Sequence, residues 1–376
     1  MFSLTVAFLV SLIATGLIVR AGRDGGSAMH DDDLLGVQKF HALAVPRVGG
    51  AGVALGLVAV VCGVAATDGP LRELALILAC GLPPLLAGLA EDFTKQVGIK
   101  TRLLATGAGG VLAFFFLGAQ LREVQLPGLD WLMTFTWFSL LFTALAVAGV
   151  ANAVNIIDGY NGLASVVVMI TLLSLAYVSL QVGDNLVLSM ALAGVGALLG
   201  FFVWNWPLGL IFLGDGGAYF IGYLVAVLSF LLVARHRGIV SPWYPFLLFI
   251  YPVFETLFSI WRKRVVRGAS PGVPDGLHLH MLIFRRLVRW AVGRRDAASL
   301  TLRNSLTAPY LWLLSSLAAI PATLFWRSPH VLQAFVALFC VLYVWLYLRL
   351  VRFRAPRWLV LRSRSGGPLS RFKDEL

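Results

Sequence analysis

The segment Asn152-Ala-Val-Asn155-Ile-Ile-Asp158-Gly-Tyr-Asn161-Gly sets three amides and a carboxylate between two apolar runs. Polar side chains at the edge of lipid are costly unless they face water or protein, so such a cluster marks a functional place. Gly159 and Gly162 allow the chain to turn there. The helix that restarts after them points an amino end, which suits anions, at the same place. The structural alternative is a polar loop that caps two helices. Glu91-Asp92 closes another apolar run and could hold a divalent cation or act as a base. Neighbours on a helix diverge by about 100°, so one of the two reaches a given ligand. The alternative is a helix end that meets Lys95. Asp215 lies between glycines in Phe212-Leu-Gly-Asp215-Gly, after Asn205, and needs either a cation or a donor. It could also simply cap a helix.

Further polar groups lie on the longer loops. Lys39, His41 and Arg47 approach the turn Pro46-Arg-Val-Gly49-Gly50. Cations beside free backbone N–H groups suit phosphate, although a basic loop with a tight turn would look the same. Asp31-Asp-Asp33 reads as a solvated loop. His278-Leu-His280 offers too few ligands for zinc and fits a diphosphate better. Glu255, inside the apolar run 242–261, is either functional or paired with an Arg.

These strings resemble the polyprenyl-phosphate N-acetylhexosamine-1-phosphate transferases, of the glycosyltransferase family 4 type. The central segment is similar to that family's Asn-x-x-Asn-x-x-Asp-Gly-x-Asp/Asn-Gly-Leu signature, and three further motifs follow the family order over nearly the whole chain. The resemblance implies attack of polyprenyl (undecaprenyl) phosphate on the sugar-bearing phosphorus of a UDP-N-acetylhexosamine, giving polyprenyl-diphosphate-sugar and UMP. It implies a Mg2+ (or Mn2+) cofactor on Asp215 with Asp92, and Phe212 against the uracil ring. Asp92, Glu91 and Asp158 are the expected catalytic carboxylates. Asn152, Asn155, Asn161 and Asn205 are expected to line the nucleotide pocket, while Lys39, His41, Arg47, His278 and His280 bring donors and positive charge to phosphates. The chain departs from the family at Glu91 and at Asn161, where many relatives have Asp, and in having two histidines where some have three or more. A transporter or flippase of lipid-linked sugars is the alternative, but it would place polar groups at broken helices near mid-membrane. A membrane phosphatase would need a nucleophile or Arg/His constellation that the chain lacks.

The elements that must position these residues are helices in a membrane. The chain has 376 residues, 59% hydrophobic and 13% charged, which excludes a soluble domain. We expect an all-α polytopic membrane protein forming a single transferase domain over 1–376, with a cytoplasmic loop 262–306 and a basic tail 350–376. About eleven runs are long enough to span: 2–19, 49–66, 73–90, 103–119, 131–150, 163–180, 187–204, 217–233, 242–261, 307–326 and 331–349. Of the 30 Lys and Arg, all but Arg72, Arg122, Arg235, Arg237 and Arg327 fall on one set of loops. That set is therefore cytoplasmic, with the amino terminus outside and the carboxyl terminus inside, in a bacterial inner membrane. Every motif named above falls on that set or near it. The net charge of +12 then points to anionic lipid and not to nucleic acid. Cys62, Cys80 and Cys340 lie in apolar runs and form no framework. Around 283–291, Ile283, Phe284, Leu287, Val288 and Ala291 share a face opposite Arg285, Arg286 and Arg289, which reads as a helix lying on the cytoplasmic leaflet. The terminal Lys373-Asp-Glu-Leu376 would lie in the cytoplasm, where a lumenal retrieval receptor cannot read it. A homodimer is compatible with the sequence.

Overall fold

A computed structural model describes residues 1–24, 45–65, 70–268, 270, 276–288 and 297–353. Lys39 and His41, the Asp31–Asp33 triplet and the tail beyond 353 lie outside the described residues. Among the described residues all regular structure is helical. In chain order the helices are α1 (Phe2–Asp24), α2 (Gly49–Val64), α3 (Leu71–Cys80), α4 (Leu82–Thr94), α5 (Ile99–Phe116), α6 (Pro127–Met133), α7 (Thr136–Ile157) and α8 (Leu163–Val182). They continue with α9 (Asn185–Asn205), α10 (Gly214–Arg235), α11 (Trp243–Leu248), α12 (Ile250–Trp261), α13 (Leu279–Arg286), α14 (Ala297–Ser305), α15 (Ala308–Leu324) and α16 (Pro329–Val351). A π-helical turn, Arg262–Val266, extends α12.

Among the described residues, eight helices are long and apolar enough to cross a membrane, and nine if α3 and α4 form one span bent by 41°. The chain is a multi-pass membrane protein. Every apolar window from the sequence holds a helix, but some windows are broken. Pro83 and Pro84, at the start of α4, end the run 73–90 as one rod, because neither can donate to the preceding turn. Pro252 splits 242–261 in the same way, into α11 and α12.

Helix α10 organises the bundle. Every residue from Gly214 to Val233 is buried, and α2, α4 and α7 pack directly against it. A helix that is apolar all round has to be enclosed in this way. Close approach depends on small residues, as is usual between membrane helices. A Cβ on Gly50 would lie 2.2 Å from the Cα of Gly217, and one on Gly88 would lie 2.5 Å from the Cα of Gly216. Two glycine contacts therefore clamp the first turn of α10, where Asp215 sits.

Helix α13 departs from the sequence reading. Ile283, Phe284, Leu287 and Val288 are buried within the protein, against α15 and α16, and do not face a leaflet. Periodicity identifies an apolar face without identifying what covers it. Ala291 and Arg289 lie outside the described residues.

Candidate active site

The site forms where α2, α4, α5, α7 and α10 meet at one end of the bundle. Gly214 has φ +77° and starts α10; a Cβ there would collide with the carbonyl of Arg47. The first N–H groups of a helix have no partner within it. Here Asp92 supplies one from α4: its Oδ1 accepts from Asp215 N–H at 2.8 Å and its Oδ2 from Gly216 N–H at 2.9 Å. Its neighbour Glu91 turns to its own loop, where Oε2 accepts from Val97 N–H at 2.6 Å. The two carboxylates thus divide as helix geometry requires.

The turn Pro46–Gly50 packs against the same helix start. Phe212 N–H donates to Pro46 C=O at 2.8 Å, Gly49 N–H to Phe212 C=O at 3.0 Å and Gly50 N–H to Leu213 C=O at 2.8 Å. The glycine N–H groups expected to be free for phosphate are therefore occupied. Arg47 is half-buried beside the site, close enough for its charge to act on Asp92 and Asp158.

Asp215 is buried and doubly held. Asn155 Nδ2 donates to its Oδ1 at 2.6 Å, and Arg102 meets its Oδ2 at 2.5 Å. Arg102, from the first turn of α5, lies 5.5 Å from the ring centroid of Tyr219. Tyr219 OH in turn donates to Asn152 Oδ1 at 3.2 Å. The Asn152/Asn155 spacing puts both amides on one face of α7, toward α10. Asp158 caps the end of that helix. No hydrogen bond reaches its carboxylate among the described residues. Its pKa is pushed up to about 7, first by burial, then by the charge of Asp215, against the opposing pull of Arg47; Asp92 adds a further rise.

Asn161 and Asn205 are engaged by other parts of the chain. Asn205 Oδ1 accepts from Gly162 N–H at 2.5 Å, and its Nδ2 donates to Ile211 C=O at 2.7 Å. Asn161 is 1% exposed; its Nδ2 donates to Ser305 Oγ at 3.1 Å and its backbone N–H donates to Asn304 Oδ1 at 2.8 Å. Both amides fasten loops to one another. Phe212 is half-buried at the site's edge.

The histidines come close to the central segment. The rings of His278 and His280 stack with centroids 5.2 Å apart and planes 5° apart, and His280 meets the edge of Tyr160. A Cβ on Gly159 would lie 3.9 Å from His280 Nε2. His280 is 1% exposed, and burial drives its pKa down to about 3, with Glu255 opposing and His278 reinforcing the shift. It is neutral at pH 7, contrary to the expectation that it adds positive charge. Glu255 pairs with His278, not with an Arg.

Mg2+ is bound through one or two carboxylates, with waters and substrate phosphates completing the shell. Asp158, with no hydrogen bond to lose, and Asp215, with one donor on each oxygen, fit that requirement. Among the described residues no three His, Cys, Asp or Glu form a ready-made cage.

The sequence reading missed Arg102 and Tyr219, together with Asn304 and Ser305. Arg102 is a cation at the start of an apolar run with its side chain buried, and that position was its signal.

The Glycosyl transferase family 4 model matches residues 74–233, a segment that contains Asp92, Arg102, Asp158 and Asp215. The chain is 29% identical over 297 residues to the Bacillus subtilis (strain 168) protein named "Probable undecaprenyl-phosphate N-acetylglucosaminyl 1-phosphate transferase", covering 78% of this chain and 80% of that one. It is 28% identical over 254 residues to the Thermotoga maritima protein named "Undecaprenyl-phosphate alpha-N-acetylglucosaminyl 1-phosphate transferase" (67% and 72% covered). A Streptococcus pneumoniae (strain CGSP14) phospho-N-acetylmuramoyl-pentapeptide-transferase is 29% identical over 269 residues (67% and 77% covered). With its motifs, its helical membrane architecture and these relatives in agreement, the chain is similar to glycosyl transferase family 4, whose model matches its residues 74–233.

Proposed function

We propose that the chain transfers N-acetylhexosamine-1-phosphate from a UDP-sugar to a polyprenyl phosphate such as undecaprenyl phosphate, releasing UMP. The observation that carries this reading is the convergence of Asp92, Asp158 and Asp215 beside Arg47 and Arg102 at one end of the bundle. The named activities of the relatives support the reaction class. In the reaction a phosphate oxygen of the lipid forms a bond to the sugar-bearing phosphorus, and the bond from that phosphorus to UMP breaks. Phosphoryl transfer of this kind needs positioning and charge neutralisation more than covalent help.

The residues divide that work. Arg47 and Arg102 supply positive charge for the diphosphate. Asp92 fixes the start of α10 and so holds Asp215 in place. Asp158 and Asp215 would hold Mg2+ (or Mn2+), which when bound would neutralise charge on the donor's phosphates. Asn152 and Asn155 order the face that receives the nucleotide.

The wider reading follows from the charge distribution. It has about eleven membrane passes, the amino terminus outside, the carboxyl terminus and the site in the cytoplasm, and a bacterial inner-membrane location. The reaction would start a cell-envelope polysaccharide such as O-antigen or another lipopolysaccharide chain. A flippase is less well supported: it would carry its polar groups at broken helices near mid-membrane, whereas the bend at Gly81 packs against the rings of Phe220 and Tyr223. Asp158→Asn and Asp215→Asn should each lower single-turnover UMP release at least about a hundredfold while the protein still inserts. Near-normal release by both variants would remove this cluster from the reaction.

A further inference from the structure

Glu255 is 0% exposed and lies on α12, outside the carboxylate cluster. A buried carboxylate persists only when its lone pairs are used. Those of Glu255 are: Oε1 meets His278 Nδ1 at 2.8 Å, Oε2 accepts from Tyr343 OH at 2.6 Å, and Leu279 N–H donates at 3.2 and 3.3 Å to the two oxygens. Three separate elements, α12, the start of α13 and α16, meet on this one group. The bond to His278 has a chemical consequence. A ring nitrogen that faces a carboxylate carries its proton, so the other nitrogen is the one presented to a ligand. His278 Nε2 has no hydrogen-bond partner among the described residues. His280 stacks in parallel on this ring and reaches toward Gly159, next to Asp158. Its own Nδ1 is buried without a partner.

Resting on the transfer reading above, we propose that Glu255, with Tyr343, is the positioning residue of the tandem-histidine loop. It accepts the hydrogen bond from Nδ1–H of His278 and fixes the ring so that Nε2 is the nitrogen left for the donor's phosphates. Glu255 touches no substrate, and it acts through His278. The neutral His280 is the spacer that carries this stance to the Asp158 loop, because two stacked imidazolium rings would repel.

A positioning role and a structural role differ in a double-variant comparison. Glu255→Ala should lower kcat roughly tenfold to a hundredfold, as loss of an orienting partner does, with a smaller change in KM for the UDP-sugar. Glu255→Gln, which keeps an acceptor for Nδ1–H, should recover part of that loss, and Tyr343→Phe should cost a few-fold. In a His278→Ala background, Glu255→Ala should add less than about twofold, because the group it acts through is gone. Losses that multiply in the double variant would overturn the proposal, as would Glu255→Ala with lower thermal stability but unchanged kcat. A second measurement is independent of turnover and of whether Glu255→Ala folds. In histidine-selective 15N spectra of the full chain in nanodiscs, one ring should show a strongly hydrogen-bonded Nδ1–H that is lost or shifted in Glu255→Gln and Tyr343→Phe. An unchanged signal in both would overturn the proposal even if transfer is confirmed. Absence of UMP release by the wild type would instead refute the transfer reading.

Discussion

Asp158 is the one carboxylate of the cluster that no hydrogen bond holds, and its raised pKa ties stability to pH. Folding disfavours its charged form, so its favourable contribution is complete below about pH 4 and is lost as pH rises toward 7. Without divalent metal, Asp158→Asn should therefore be more stable than wild type at pH 8, by roughly 1 kcal/mol or more, and equal to it at pH 4. Thermal unfolding in chelator at both values measures this, and equal stability at pH 8 would contradict it. Removing Asp92 should instead destabilise the fold. Asp92→Ala strips acceptors from two buried N–H groups and should cost about 1–3 kcal/mol, in addition to any loss of turnover. Asp215, Asn155 and Asp158 were legible in the sequence because polar side chains stand out within apolar runs. Arg102 was not, since it was counted only among the basic residues that orient the chain. Tyr343 was invisible for a related reason: a tyrosine in an apolar helix is ordinary until its hydroxyl is seen on Glu255. Asn161 and Asn205 show what residue type alone leaves out. An amide suits a nucleotide, but the sequence does not say that Gly162 and Ile211 already use that of Asn205.

At the level of helices, the site depends on how closely α2 and α4 approach α10. Gly50→Ala places a methyl against the Gly217 backbone, which cannot move aside as a flexible side chain could. We expect a loss of about 1–3 kcal/mol and a large fall in turnover, because the first turn of α10 shifts with it. Gly149→Ala is the control. It lies on the exposed face of α7 with no heavy atom within 4 Å, and should be neutral or stabilising by up to about 1 kcal/mol. Detergent-resistant thermal unfolding of both variants checks the pair, and equal effects would show that the close contact is unimportant. The apolar windows located the helices well, and prolines explain where two of them break. What they could not distinguish is lipid from protein as the covering of an apolar face. Helix α10 and α13 are both enclosed by neighbours, yet the first reads as an ordinary span and the second as a surface helix.

For the molecule as a whole, the orientation proposed from the charge asymmetry would set the carboxylate cluster on the cytoplasmic side. Gly98 and Gly128 are exposed, and nothing lies within 4 Å of a Cβ added to either, so both accept cysteine. Gly98→Cys should react with an impermeant thiol reagent only from the cytoplasmic side, and Gly128→Cys only from the opposite side; labelling of both from one side would overturn the orientation. The reaction itself is tested most directly by supplying the purified chain with undecaprenyl phosphate, Mg2+ and a panel of UDP-N-acetylhexosamines. The account predicts that one of them yields UMP and polyprenyl-diphosphate-sugar in equal amounts, and only when the lipid phosphate is present. Release of UDP in place of UMP, or no nucleotide release with any member of the panel, would contradict it.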